Sequence, residues 1–178
     1  MYSVEIPKKL YEEAKKIGID INEIVFTILT EKLKLDPKEI VKARLELAEK
    51  FLKEAEQYLK KGDSVQASEK IYKTVEECIK ALAQYYDTPE YRKALKENRW
   101  WIQLLGKTSR RIARQLNEPK IEYVWAIAHD LHVWGFHEAK YGIEDIQEDL
   151  KHAEWLLSYA KQIMLNNSGI LSQNDNTK

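Results

Sequence analysis

The spacing of apolar residues divides the chain into a short N-terminal unit and a run of long amphipathic segments. In the first stretch, MYSVEI, Tyr2, Val4 and Ile6 alternate with Ser3 and Glu5, which predicts a short half-buried strand that Pro7 ends. Leu10, Ala14 and Ile17 then share one helical face, and Gly18 supplies a left-handed stop. Asp20 caps a second helix, with Glu23 placed to complete a capping box ahead of Ile24, Val25, Ile28, Leu29 and Leu33. Asp36, Pro37 and Glu39 open a helix whose Val41, Leu45, Ala48, Leu52, Ala55 and Leu59 keep a three-and-four spacing up to Gly62. Asp63 caps its successor, which turns Ser68, Ile71, Val75, Cys78, Ile79, Leu82 and Tyr86 to one side and ends near Asp87, before Pro89. With only Gly62 between them, these two helices must be antiparallel neighbours.

A polar connection is expected from Glu90 to Asn98. The next helix turns Trp101, Leu104, Leu105, Thr108, Ile112 and Leu116 inward and carries Lys107, Arg110, Arg111 and Arg114 on its other side. A further helix is predicted from Pro119 to Gly142. The last repeats the spacing through Ile146, Leu150, Ala153, Leu157, Ala160 and Met164, and the polar sequence from Asn166 onward reads as a disordered tail. The expected fold is all-α: an antiparallel bundle of about five helices over residues 36–166, preceded by a strand–helix–helix arm over 1–35 and followed by the tail over 167–178. AEKFLKEAEQYLKKGDSVQASEKIYKTV has the small-and-aromatic alternation of a tetratricopeptide unit. That unit does not recur, and a stack needs about three.

Composition narrows the function classes. Lys and Arg equal Asp and Glu at 29 each, so no global charge draws the chain to nucleic acid or an anionic membrane, and such binding would need a local patch. A single cysteine excludes an internal disulfide and a paired-cysteine metal site, and suits a reducing compartment. No stretch reaches the roughly 18 apolar residues of a membrane span, and the N-terminus lacks the shape of a signal peptide. A cytoplasmic protein without membrane contact is expected, and its richness in Lys, Glu and Ile leans toward a thermophile.

The arm, IPKKLYEEAKKIGIDINEIV, resembles the ribbon-helix-helix fold, in which two chains pair strands and interlock helices. The resemblance implies dimerisation, because so short a segment buries too little apolar surface alone. It also implies an alternative role as a DNA-binding regulator, with Ser3 and Glu5 facing the major groove, where Glu5 meets a polyanion badly. KFLKEAEQYLKKGDSVQASEKIYKTVEECIKALA, RWWIQLL and LHVWGFHEAK together resemble the archaeal PaREP family, whose members are similar to HEPN-domain helical bundles that bind nucleotides or process RNA. The resemblance spans Leu35 to about Leu165 and implies a homodimer that binds a nucleotide or RNA, with a ribonuclease toxin or a non-catalytic interaction bundle as alternatives. Many HEPN ribonucleases place an Arg about four to six residues before a catalytic His. Here Arg110, Arg111 and Arg114 lie too far ahead of His129, so that pattern is absent.

The candidate chemistry gathers in YVWAIAHDLHVWGFHEAKY, residues 123–141. At about 100° per residue, Ile121, Val124, Ala128, Leu131, His132, Gly135 and Ala139 face the core, Trp125, His129 and Phe136 border it, and His137 points outward. His132 is then either a core histidine hydrogen-bonded to Ser68, Tyr72 or Glu76, or a general base or binding donor lining a pocket with His129, Tyr72 and Glu76. The pair lacks a third ligand, so no metal is expected there, nor any cofactor, and Cys78 on an apolar face reads as a small buried hydrophobe. Gly135 costs about 1 kcal/mol inside a helix, which predicts close packing by Trp100 or Trp101, or a ligand, against its backbone. The tryptophans are core residues or stacking platforms for a nucleobase. Lys107, Arg110, Arg111 and Arg114 are either a solvated face or the phosphate-binding stripe.

Overall fold

A computed structural model describes residues 4–171 of the chain, with side chains to residue 166. The described residues form helices throughout. An arm of α1 (Lys8–Lys16) and α2 (Ile21–Leu33) leads into the antiparallel pair α3 (Pro37–Lys61) and α4 (Ser64–Tyr85). Then follow α5 (Pro89–Glu97), α6 (Ile102–Leu116), α7 (Lys120–Asp130), a π-helical segment (Leu131–His137), α8 (Ile143–Ile146) and α9 (Leu150–Leu171). No described helix is long and apolar enough to cross a membrane.

Helix α4 is the axis of the bundle, packed by α3, α6, α7, the π-helical segment and α9. Its Ile71, Val75, Cys78, Ile79 and Leu82 are buried against Leu45 of α3, Leu105 and Ile112 of α6, Ile121 and Val124 of α7, and Leu156 of α9. Each such aliphatic side chain contributes about 1.5–3 kcal/mol on leaving water, which makes this core the main source of stability. Side-chain caps set the starts: Asp36 accepts from Lys38 N at 2.8 Å, Asp63 from Gln66 N at 3.0 Å, and Thr88 from Tyr91 N at 3.2 Å.

The arm is attached differently. Neither α1 nor α2 buries any residue fully, and Leu10, Ile17, Ile28, Leu29 and Leu33 are exposed. Its anchor is Glu23, whose carboxylate accepts from Arg44 Nη2 of α3 at 2.6 Å and from Lys80 Nζ of α4 at 2.9 Å. The predicted capping box therefore forms only in half. Asp20 accepts from the Asn22 and Glu23 amides, but the Glu23 side chain leaves the cap for the buried cations.

Five expectations are corrected. Residues 1–3 of the predicted strand lie outside the described residues, and Val4–Pro7 carry no strand, since a single chain offers the arm no partner to complete a ladder. The supposedly polar connection after Pro89 is helix α5, opened by a Thr88–Pro89–Glu90 start but with Ala94 its one buried apolar residue, so hydrophobic period alone misses it. The Pro119–Gly142 helix changes to π geometry at Leu131 and ends at His137, with Glu138 as its cap and Ala139 beyond it at φ 49°, exposed instead of core-facing. The last predicted helix is two, α8 and α9. Helix α9 continues through Asn166 to Leu171, beyond the expected start of the tail, whose remaining residues lie outside those described.

Candidate functional site

The π-helical segment creates an arrangement that α-helical spacing forbids. In an α-helix, residues five apart point well away from each other, but i→i+5 hydrogen bonding widens the turn and brings them to one face. The bond from Glu138 N to Val133 O at 2.9 Å has this spacing. His137 consequently turns back, and its Nε2 lies 3.1 Å from Nε2 of His132. On the other side of the ring, His132 Nδ1 lies 2.9 Å from Glu69 Oε2 of α4. A carboxylate only accepts, so Nδ1 donates, and Nε2 of neutral His132 is left as the basic nitrogen. Tyr72 stacks on the same ring at 4.1 Å and Phe136 at 5.9 Å. The side chain of His132 keeps 18% of its exposure, so it is neither a closed core histidine nor an open surface one.

Two cavities meet at His132. One, of about 370 Å³, lies between the arm and the bundle and is lined by Asp20 and Glu23 of the arm, Tyr72, Lys73, Glu76 and Lys80 of α4, Arg99, Trp100 and Trp101 before α6, and His132. The other, of about 680 Å³, is more open and runs between the N-terminal segment and the face that carries Glu69, Phe136 and His137. Gly18 to Asp20 border both. Gly18 sits at φ +69°, and a Cβ there would come within 2.6 Å of Arg99 Nη2, so a bare backbone at this point lets the guanidinium lie across the mouth.

Under the first cavity runs a buried ion network. Lys80, 1% exposed, lies 2.9 Å from each of Glu23, Glu76 and Glu77. Arg44 bridges Glu23 and Glu77, and Lys73 holds Glu76 at 2.8 Å. Burial pushes the carboxyls of Glu23 and Glu76 up, but Lys80, joined by Arg44 at Glu23 and Lys73 at Glu76, outweighs it and holds both at about 2. Burial alone would lower the Lys80 ammonium, yet its three carboxylates raise it well above the ordinary lysine value. Glu76 is thus committed to its lysines.

The structure brings Tyr72, Glu76 and His132 together around one cavity. His129 lines neither cavity and stacks on Trp125 at 6.2 Å. The hydrogen-bond partners of His132 are Glu69 and His137, not Ser68, Tyr72 or Glu76, and Tyr72 stacks on the ring instead. Gly135 is packed by Ser68 of α4, not by Trp100 or Trp101. Burial in apolar surroundings raises the Cys78 thiol, which keeps it an inert core group. The basic stripe lies outside both cavities: Arg110 pairs with Glu122, Arg111 grips Glu90 with two nitrogens at 2.8 and 3.0 Å, and Lys107 and Arg114 are exposed without an ion pair among the described residues.

Glu69, His137 and Arg99 are the participants that sequence reasoning missed. Glu69, Tyr72, Lys73, Glu76 and Lys80 follow the three-and-four spacing along α4, a second stripe beside the apolar one, and that polar stripe was the available signal. His137 had none, because its position depends on the π turn.

An all-helical bundle with a docked arm and a histidine-bordered cavity is the class of protein these features define. Over residues 43–157 the sequence matches the archaeal PaREP1/PaREP8 family, and the chain belongs to that family. It is similar to a Sulfolobus solfataricus protein of known crystal structure, at 36% identity and a TM-score of 0.59, covering 65% of this chain and 93% of that one. No curated protein matches the sequence.

Proposed function

We propose that this chain is a HEPN-like bundle acting in the cytoplasm as a homodimer that binds a nucleotide or a single-stranded RNA segment in the cavity between arm and bundle. The observation that carries the reading is Arg99. Among the described residues lining that cavity, Lys73 and Lys80 are each held by carboxylates, whereas Arg99 pairs with no acid and lies 3.7 Å over the Trp101 ring. A guanidinium in that position suits a phosphate, and Trp100 and Trp101 beside it suit a base face, worth about 1–3 kcal/mol in stacking. The volume falls in the range that ordinarily encloses a small ligand. Exposed Lys107 and Arg114 would extend the contact for a longer strand.

Titration of tryptophan fluorescence with adenosine monophosphate and with a short oligoadenylate tests this. Arg99→Ala is expected to weaken both by tenfold or more, about 1.4 kcal/mol, and added salt to weaken the oligonucleotide more steeply. Equal affinity in wild type and Arg99→Ala would remove the proposal. For the dimer, the exposed Ile28, Leu29 and Leu33 of α2 provide an apolar face for a second copy. Light scattering should find twice the chain mass in the wild type and the single mass in Leu29→Glu/Leu33→Glu. An unchanged mass in that variant would refute pairing through α2.

A further inference from the structure

We propose that His132 and His137 together bind one divalent transition cation of the zinc or cobalt type through their Nε2 atoms, with Glu69 positioning His132 and water completing the coordination. Two imidazole nitrogens, each about 2.0–2.1 Å from one zinc ion, stand roughly 2.9–3.4 Å apart for tetrahedral to right-angled ligation. The observed separation is 3.1 Å. Glu69 supplies a second, independent feature. Metal-binding histidines commonly donate their other ring nitrogen to a carboxylate, which fixes the tautomer and makes the ligating nitrogen more basic. Glu69 does this to His132 Nδ1 at 2.9 Å, and it forms no ion pair with a lysine or arginine among the described residues, so its charge is left to favour a cation.

The π turn is the third. It sets residues 132 and 137 edge to face with ring centroids 4.4 Å apart, and π segments inside helices occur frequently at functional sites. No third His, Cys, Asp or Glu joins these two among the described residues, so two protein nitrogens would hold the ion, one fewer than in an ordinary catalytic zinc site, and binding is expected to be correspondingly weaker, on the side of the cavity that His132 and His137 line. Affinity should follow the usual order for divalent ions at nitrogen sites, with manganese weakest.

The test uses the full chain, stripped with chelator and titrated with Co²⁺ by visible absorption and with Zn²⁺ by calorimetry, no nucleotide being present. One equivalent is expected to bind. His137 is exposed, so His137→Ala should keep its helical circular dichroism while losing at least tenfold in affinity. Glu69→Gln should lose about 10–100-fold, and His129→Ala should match wild type. Absence of one-equivalent binding, or the same affinity in His137→Ala, would overturn the proposal and leave the nitrogen pair as a hydrogen bond. Because the ion alone is the probe, failure here is separable from failure of nucleotide binding.

Discussion

Lys80→Met is expected to destabilise the fold by about 3–5 kcal/mol, although methionine preserves most of the stem and its packing. The ammonium is the common partner of Glu23, Glu76 and Glu77, and without it two cations remain among three buried carboxylates. An uncompensated buried charge is the costly outcome, far more so than loss of an exposed pair. The effect must depend on pH. Glu23 and Glu76 fall from an ordinary 4.5 to about 2 in the fold, so their contribution is present above the unfolded value and is lost as pH drops from about 5 toward 2. Denaturant unfolding should therefore show a large gap between wild type and Lys80→Met at neutral pH and a shrinking one in acid. A gap under about 1 kcal/mol at pH 7 would mean that the network contributes no more than exposed pairs do.

The same network shows what the sequence could and could not reveal. The apolar period marked α3, α4, α6, α7 and α9 because core burial is a local repeating demand on every turn. Glu23 was legible as a cap yet serves as an anchor, since its partners Arg44 and Lys80 are 21 and 57 residues away and no spacing rule connects them. Rotation brings Tyr72 and His132 together while leaving open a core pair or a pocket, and in the structure each lines the cavity between arm and bundle. His137 faces solvent, as rotation at an α-helical angle predicts, but its approach to His132 comes from the change of helix type, which that rotation does not contain. Arg99 falls just after the expected connection ends at Asn98, and only the approach of Gly18 from the arm gives it meaning.

Gly135→Ala should lower stability by about 1–3 kcal/mol, where the same change on an open helix face would raise it by about 1 kcal/mol. A Cβ on Gly135 would stand 2.2 Å from Ser68 Oγ and 2.6 Å from Ser68 Cβ. The hydroxyl could rotate aside, but the serine Cβ is fixed to the backbone of α4, so the π-helical segment must move bodily away from the helix it packs on. At about 2–4 °C per kcal/mol for a chain of this size, the melting temperature should fall visibly. Ser68→Gly in the same chain removes both offending atoms at its own cost of up to about 1 kcal/mol in α4, so the clash should be relieved and a favourable coupling between the two sites should appear in a double-mutant cycle. Ser68→Ala removes the hydroxyl, which has no hydrogen-bond partner among the described atoms, yet keeps the Cβ, and so should rescue less. A rise in melting temperature for Gly135→Ala alone would show that the segment can yield at that point. The glycine would then cost about 1 kcal/mol without a packing reason, and the approach of a ligand would be the explanation left for it.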